Sequence, residues 1–506
     1  MSGAGANLPT GVQGDVLYND GTVWNNLAAG AAGQYLQTLG AGANPQWAAA
    51  GGGAFIRGFT LVVAASNSLD IVNADYICDG VADEVEINQA LNALPAAGGI
   101  VRLMEGTYNL AASVTIPAND ITLWGTGKGT LLQTAANIIM INAIARSTIV
   151  ISDLHLEGAS VSNHGINFTG VTSSIIQNCE INATIGDCIH IENTSDWNKI
   201  LNNYCRNSKS NSGIKLHEDC SNNTISNNTV ESNNTAGIMV TTTNESHMDN
   251  NMVTNNTCRA NGLQVGWAGI YFASYPCLAY YNIIENNECN DNFNGIQVGS
   301  DFFFGVINGN HCNGNQADGL AMVGPRYTAI VGNVCSLNGS EGLYASGLVC
   351  CTVVGNILNE NTAEGMRCFD PTVNTTIVGN VFYSNYSYGL WLDGSGVNYN
   401  TVTGNTFRSN TLGGIYVETS HNNSITGNTF ESHSNGPGRD AILLDAADKN
   451  IISSNRCLTS SGYGINISNV TSENNIVIGN HIAGNTTGAI NDVGANSQIF
   501  NNYEDY

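Results

Sequence analysis

An all-β solenoid with coils about 24 residues long is the fold class this sequence predicts, and three observations predict it. The first is an asparagine that returns at a regular interval: Asn203, Asn228, Asn256, Asn287, Asn310, Asn333, Asn356, Asn380, Asn405, Asn428, Asn455 and Asn480. Each stands in one kind of phrase, with small or β-branched residues before it and an apolar residue two places after it, as in IVGNVC, VVGNIL, IVGNVF and SITGNTF. The second is a Gly followed by an aliphatic residue, about nine residues further on in most copies: Gly213, Gly237, Gly295, Gly319, Gly342, Gly365, Gly389, Gly414 and Gly464. The third is strict alternation around that Gly, as in Gly414-Ile415-Tyr416-Val417-Glu418. That is strand spacing, with every second side chain inward.

Several short strands per repeat, separated by Gly, Asn and Ser, describe one coil of a parallel β-helix. Asn suits the turns because it tolerates the left-handed backbone conformation. Stacked Asn side chains can also hydrogen-bond amide to amide up the column. The ladder is therefore structural.

Residues 1–53 read as a separate piece. GDVLYNDGTVWNNLAAG and GQYLQTLGAGANPQWAAA each run from a Gly through a short apolar strand and a turn to a Trp. Their apolar content is too small for an independent core, so the segment must dock on itself or on a partner. Gly51-Gly52-Gly53 reads as a hinge. Residues 54–131 begin the solenoid and hold the one convincing helix. Asp83 and Glu86 fit the ends of a capping box. Ile87, Ala90, Leu91 and Leu94 make one apolar stripe, ended by Pro95 and Gly98-Gly99. Laid over the first coil, such a helix removes a bare strand edge. Residues 132–506 supply the remaining coils.

Lys plus Arg number 15 against 40 acidic residues, a net charge of −25. A surface this acidic repels phosphate backbones and anionic lipids, which argues against nucleic acid. No apolar run is long enough for membrane insertion. MSGAGANLPTGVQGDV lacks the basic start and apolar core of a signal peptide, so the chain is expected to be made in a cytoplasm. Of 14 Cys, Cys205, Cys258, Cys289, Cys312, Cys335 and Cys457 all fall two residues after the ladder Asn. Other coils carry Val230, Leu358 or Phe382 there, so these Cys read as buried thiols in an interior stack. No Cys/His spacing suits zinc, and GTGKGT at 125–130 lacks the order of a phosphate loop. No metal and no cofactor is expected.

The paired phrases of residues 1–53 resemble modules near the N-termini of bacteriophage tail fibres and tail spikes. From about residue 70 onward, phrases such as GGIVRLMEGTYNL and SVTIPANDITLWGTGKGTLL, followed by the Asn/Gly coils, resemble the pectate-lyase-like right-handed β-helix superfamily. Together the resemblances imply a tail-spike-like homotrimer that joins other virion tail proteins through residues 1–53. It would be made in a host cytoplasm and be extracellular once assembled. Its partner would be a host surface glycan. The last phrase, GAINDVGANSQIFNNYEDY, leaves no room for a C-terminal trimerisation domain of the kind many tail spikes carry.

Chemistry must come from outward rows. Four residues after the Gly anchor, consecutive coils place Asp393, Glu418 and Asp445. Two residues after it stand Tyr344, Arg367, Trp391 and Tyr416. Coils are spaced by about 4.8 Å, so neighbouring carboxylates sit about 5 Å apart and next-but-one about 10 Å, against about 5–5.5 Å in retaining and about 6.5–9.5 Å in inverting glycosidases. Crowded like charges should raise at least one pKa and supply a general acid. The reading assigns catalysis to Asp393, Glu418 and Asp445, sugar contacts to Trp391, Tyr416 and Tyr344, and an acidic sugar or carboxylate partner to Arg367. The long coils at 244–304 hold a second aromatic set, with Trp267 and Tyr271 as binding candidates beside Tyr275, Tyr280, Tyr281, Phe302, Phe303, Phe304 and Glu245. These rings suit either a glycan or a neighbouring subunit. The alternative to a depolymerase is a non-catalytic adhesin or structural virion protein on the same scaffold. A pectin-type lyase is disfavoured, since no basic cluster is evident.

Overall fold

The computed structural model of the chain describes residues 8–32, 34–39, 42–49, 59–243, 247–262, 266–272, 278–433 and 436–505. The hinge expected at Gly51-Gly52-Gly53 lies outside the described residues. Two compact units are present, Met1–Phe59 and Thr60–Tyr506. In the first, each Gly-to-Trp phrase is an antiparallel hairpin. Val16–Asn19 pairs with Trp24–Leu27, and Gln34–Gln37 with Gln46–Ala49. The Trp47 indole N–H reaches the Ala28 carbonyl at 2.6 Å and so ties one hairpin to the other.

The second unit is a right-handed parallel β-helix. Each coil contributes three short strands, as Thr376–Val378, Val381–Tyr383 and Tyr388–Asp393 do in one of them. Like strands of successive coils pair in parallel and in register, giving three faces. The first face runs from Thr60–Ala64 to Gln498–Phe500. The second is two eight-stranded blocks, and the third is one sheet of sixteen strands. The core between them is a set of columns. Phe382, Phe407 and Phe430 stack at 4.6 and 4.8 Å with nearly parallel rings. Cys205, Cys258, Cys289, Cys312, Cys335 and Cys457 are fully buried in the same column, and burial pushes the thiols of Cys205, Cys289, Cys335 and Cys457 up.

The ladder Asn are buried at the turn between first and second strands. Asn356 Nδ2 donates to Asn380 Oδ1 at 2.9 Å, and Asn380 Nδ2 donates to Asn405 Oδ1 at 3.0 Å. The same Oδ1 accepts the backbone N–H of the preceding ladder Asn, at 2.8 Å in Asn380. Two further Asn columns flank it, five residues before and five after. Asn198, Asn223, Asn251 and Asn282 form the first, which resumes at Asn400, Asn423, Asn450 and Asn475. Asn233, Asn261, Asn292, Asn315, Asn338, Asn361, Asn385 and Asn410 form the other. Each turn of the coil thus has its own amide column, and each column satisfies backbone groups that a sharp turn would leave unpaired.

The helix is Glu84–Asn92, with Ile87, Ala90 and Leu91 buried against the first coil. The expected capping box does not form. Asp83 sits at the N-cap without capping the helix. Its carboxylate instead accepts the N–H groups of Gly80 at 2.8 Å and Asn109 at 2.6 Å, and Glu84 accepts that of Ala111 at 2.9 Å. The acids that would serve the helix serve the strand edge it covers, where an unpaired buried N–H costs more than a frayed first turn.

Candidate functional site on the outer surface of the third face

The Gly anchor, replaced on some coils, as by Cys188 and Ala441, stands at the start of the third-face strands, and there the alternation slips. In Tyr388–Asp393, Gly389 and Leu390 are both buried, while Tyr388, Trp391 and Asp393 are half-buried and point outward. A Cβ at Gly389 would meet Phe407 and the next coil's Gly414 carbonyl, which is why the anchor is Gly. Three outward columns result, at one residue before the Gly, two after and four after. They touch: Asn294 Nδ2 donates to Gln297 at 3.1 Å across the first two, and Arg367 Nε donates to Asp393 at 3.0 Å between the second and third.

Asp393, Glu418 and Asp445 stand in register on three successive strands. Beside them run Tyr344, Arg367, Trp391 and Tyr416, also in register. Arg367 bridges two acids, at 2.5 Å from Asp393 and 3.8 Å from Glu341. Its guanidinium lies 4.4 Å from the Trp391 ring centre, and Tyr416 stacks on Trp391 at 5.4 Å. Both faces of Trp391 are therefore covered from within the column, and its indole nitrogen is buried without a hydrogen-bond partner. The Tyr416 hydroxyl donates to Asp445 at 3.3 Å, and Asn469 donates to the same carboxylate at 2.7 Å. Burial, with Glu418 and Asp445 nearby, pushes the Tyr416 phenol up.

The column one residue before the Gly was not anticipated. It brings Asp318, Glu341 and Glu364 onto consecutive coils beside Arg367. Burial and the adjacent Glu341 push the Asp318 carboxyl up to about 7. Burial also raises Glu364, which accepts a hydrogen bond from Ser387 at 2.5 Å. The sequence signal was an acid directly before the anchor in three successive copies.

Trp267 and Tyr271 pack edge to face at 5.2 Å. Tyr271 shares the column of Tyr344 but lies three coils away, with Gln297 and Ala321 between. The structure therefore does not bring this pair to the Trp391 strip. Tyr275 and Glu245 lie outside the described residues. Tyr281, Phe304 and Tyr327 form a separate exposed stack at the turn before the first face, with ring centres 5.5 and 5.0 Å apart.

The third face also carries a His-rich cluster that the sequence reading did not pick out. His164, His190, Lys215 and His217 meet there, but they alternate with Asp187, Glu192 and Glu218. Burial would lower His190, yet its hydrogen bonds to Asp187 and Glu192 more than reverse this and raise it to about 9. Burial and the neighbouring His190 lower His164 to about 4.

A comparison with curated protein sequences finds no match. Among solved structures, the chain is similar to the A-module of the Azotobacter vinelandii mannuronan C-5 epimerase AlgE4, at 17% identity over 72% of this chain and 98% of that one, TM-score 0.49. It is also similar to the Streptococcus pneumoniae surface protein and adhesin PfbA, at 13% identity over 72% and 96%, TM-score 0.41. The Dettilon tailspike protein is similar at 14% identity over 81% and 64%, TM-score 0.34. A family model described as a periplasmic copper-binding protein (NosD) matches residues 383–503. The model of the right-handed β-helix region matches residues 109–274 and 251–407, more than half of the chain. With its coils stacked in three in-register faces, the protein belongs to the right-handed β-helix family.

Proposed function

We propose that the protein recognises a surface polysaccharide along the third face and hydrolyses it there, as a component of tail-spike or tail-fibre type. The observation that carries this reading is the strip in which Arg367, Trp391 and Tyr416 run in register beside Asp393, Glu418 and Asp445, with Arg367 reaching Glu341 on its other side. Its rows repeat at the coil spacing, which suits a polymer laid along the axis. Residues 1–53 would join other tail proteins, a homotrimer would present three such strips, and the protein would work outside the cell in which it was made.

Because Arg367 engages Asp393, the working pair is Glu418 and Asp445, about 5 Å apart on adjacent coils. Asp445, oriented by Tyr416 and Asn469, takes the nucleophile's place, and Glu418 the proton donor's. Trp391, with both faces covered, offers an edge rather than a platform and holds Arg367 in position. Asp393 acts on the reaction only through Arg367. The test is a reducing-end assay on host polysaccharide. Glu418→Gln should lower turnover by roughly 10²–10⁴ with binding kept, and Asp393→Asn should chiefly weaken binding. Binding without turnover in the wild type would favour the adhesin reading, for which the covered Trp391 faces and the paired Asp393 are the supporting observations.

A further inference from the structure

The His-rich cluster lies on coils well before the Trp391 strip and plays no part in the reading above. His190 sits at its centre. Its Nδ1–H is directed at Asp187 Oδ2, 2.7 Å away, and Asp187 is 1% exposed. In the neutral imidazole that a metal would take, that bond keeps the proton on Nδ1 and leaves Nε2 as the donor atom, facing Glu192 Oε2 at 3.3 Å. Glu192 is itself held, since Thr169 Oγ1 donates to its other oxygen at 2.9 Å and Asn167 donates to Thr169 at 2.9 Å. On the next coil His217 stands in register with Glu192, its ring 5.9 Å from that of His190. One nitrogen from each imidazole and one Glu192 oxygen lie within 4.8 Å of one another.

We propose that His190, Glu192 and His217 form a binding site for a divalent first-row transition ion. Two imidazoles and one carboxylate are a zinc-type donor set that leaves coordination positions open. Donors around a tetrahedral zinc with bonds of about 2.1 Å stand about 3.4 Å apart, so binding draws together three atoms that now lie within 4.8 Å of one another. A buried carboxylate behind a ligating His is the outer shell that orients such ligands, and here Asp187 supplies it. Thr169 does the same for Glu192. The charges agree as well: Asp187, Glu192 and Glu218 outweigh Lys215, which neighbours His190 in its column. Glu192 and His217 are partly exposed, at 26% and 17% of their side chains, so an ion can enter from solvent.

The test uses the full chain, stripped with chelator and dialysed against Zn²⁺, with bound metal counted by mass spectrometry. The expected result is one Zn²⁺ per chain, lost in Glu192→Gln and in His217→Gln. Asp187→Asn should weaken binding by roughly 10–100-fold, and Glu418→Gln should leave it unchanged. Co²⁺ should give a visible d–d spectrum that disappears in the same two variants. Zn²⁺ should raise the melting temperature of the wild type but not of His217→Gln, whose own melting curve reports whether it folds. No bound Zn²⁺, or one equivalent that persists in folded Glu192→Gln and His217→Gln, overturns the proposal.

Discussion

At the scale of single residues, asparagine does two jobs in this chain. Its side chain completes the hydrogen bonds of the turns, and its backbone accepts left-handed dihedrals that other residues resist. Asn380 shows the first. Its Oδ1 accepts two bonds from Asn356, and its Nδ2 donates to the Val353 carbonyl at 2.9 Å. Asn380→Ala would orphan a buried N–H and a carbonyl together, at a cost of roughly 2–4 kcal/mol. Asn380→Asp should cost more at neutral pH, because it buries a charge and removes a donor. Calorimetric melting of the two variants checks both the loss and its order. His433 is one of the replacements within these columns. It takes an Asn place after Asn410, fully buried, with Nε2 unpartnered, and burial lowers it to about 4.

At the scale of the strand, the third face turns a one-residue slip at Gly into a third column of chemistry. Strict alternation makes Tyr344, Arg367, Trp391, Tyr416, Asp393, Glu418 and Asp445 legible from the sequence. It hides Asp318, Glu341 and Glu364, because two successive inward residues at the anchor break the period. The two flanking Asn columns were hidden for another reason: Ser, Thr, Cys and His replace Asn in several coils, while the central column keeps Asn from Asn203 to Asn480. The His190 cluster was missed because the coil that carries His190 and Glu192 has Cys188 where the neighbouring coils have Gly165 and Gly213. Asp318 gives this scale its own prediction. Its folded carboxyl is raised to about 7, so the folded protein keeps a proton that the unfolded chain releases near pH 4. The resulting stabilisation is complete below about pH 4 and is lost as pH rises through about 7, by roughly 1–3 kcal/mol. Asp318→Asn should flatten that part of the melting-temperature profile and be the more stable protein at pH 8. An unchanged profile would show that the proton resides elsewhere.

For the whole molecule, the repeat makes stability nearly a sum over neighbouring coils, and the helix Glu84–Asn92 closes one end of the stack. The two N-terminal hairpins belong to a different compact unit. Removing residues 1–53 should leave the melting temperature of the solenoid within about 2 °C, since separate compact units contribute independently. The same truncation should abolish incorporation into any assembly that uses this segment. A truncated chain that no longer folds would place the segment in the core instead. The sequence showed how the coils of the solenoid repeat, because periodicity survives substitution. It did not show which outward columns touch, since that depends on the geometry of each bend.

The exposed stack of Tyr281, Phe304 and Tyr327 occupies a turn place at which the backbone is left-handed, with φ of 58°, 53° and 52°. Coils above and below put Asn222, Asn250, Asn374, Asn422 and Asn474 at that place, all with similar φ. Large aromatic residues adopt this conformation reluctantly, and Asn adopts it with ease. Tyr327→Asn should therefore raise stability by about 0.5–1 kcal/mol even after losing its contact with Phe304. A side chain whose removal makes the scaffold sturdier is not there for the scaffold. Trp197 and Tyr399 stand singly at the same place on other coils, left-handed and exposed, but among the described residues only at Tyr281, Phe304 and Tyr327 do three consecutive coils join such rings into a greasy stripe facing outward.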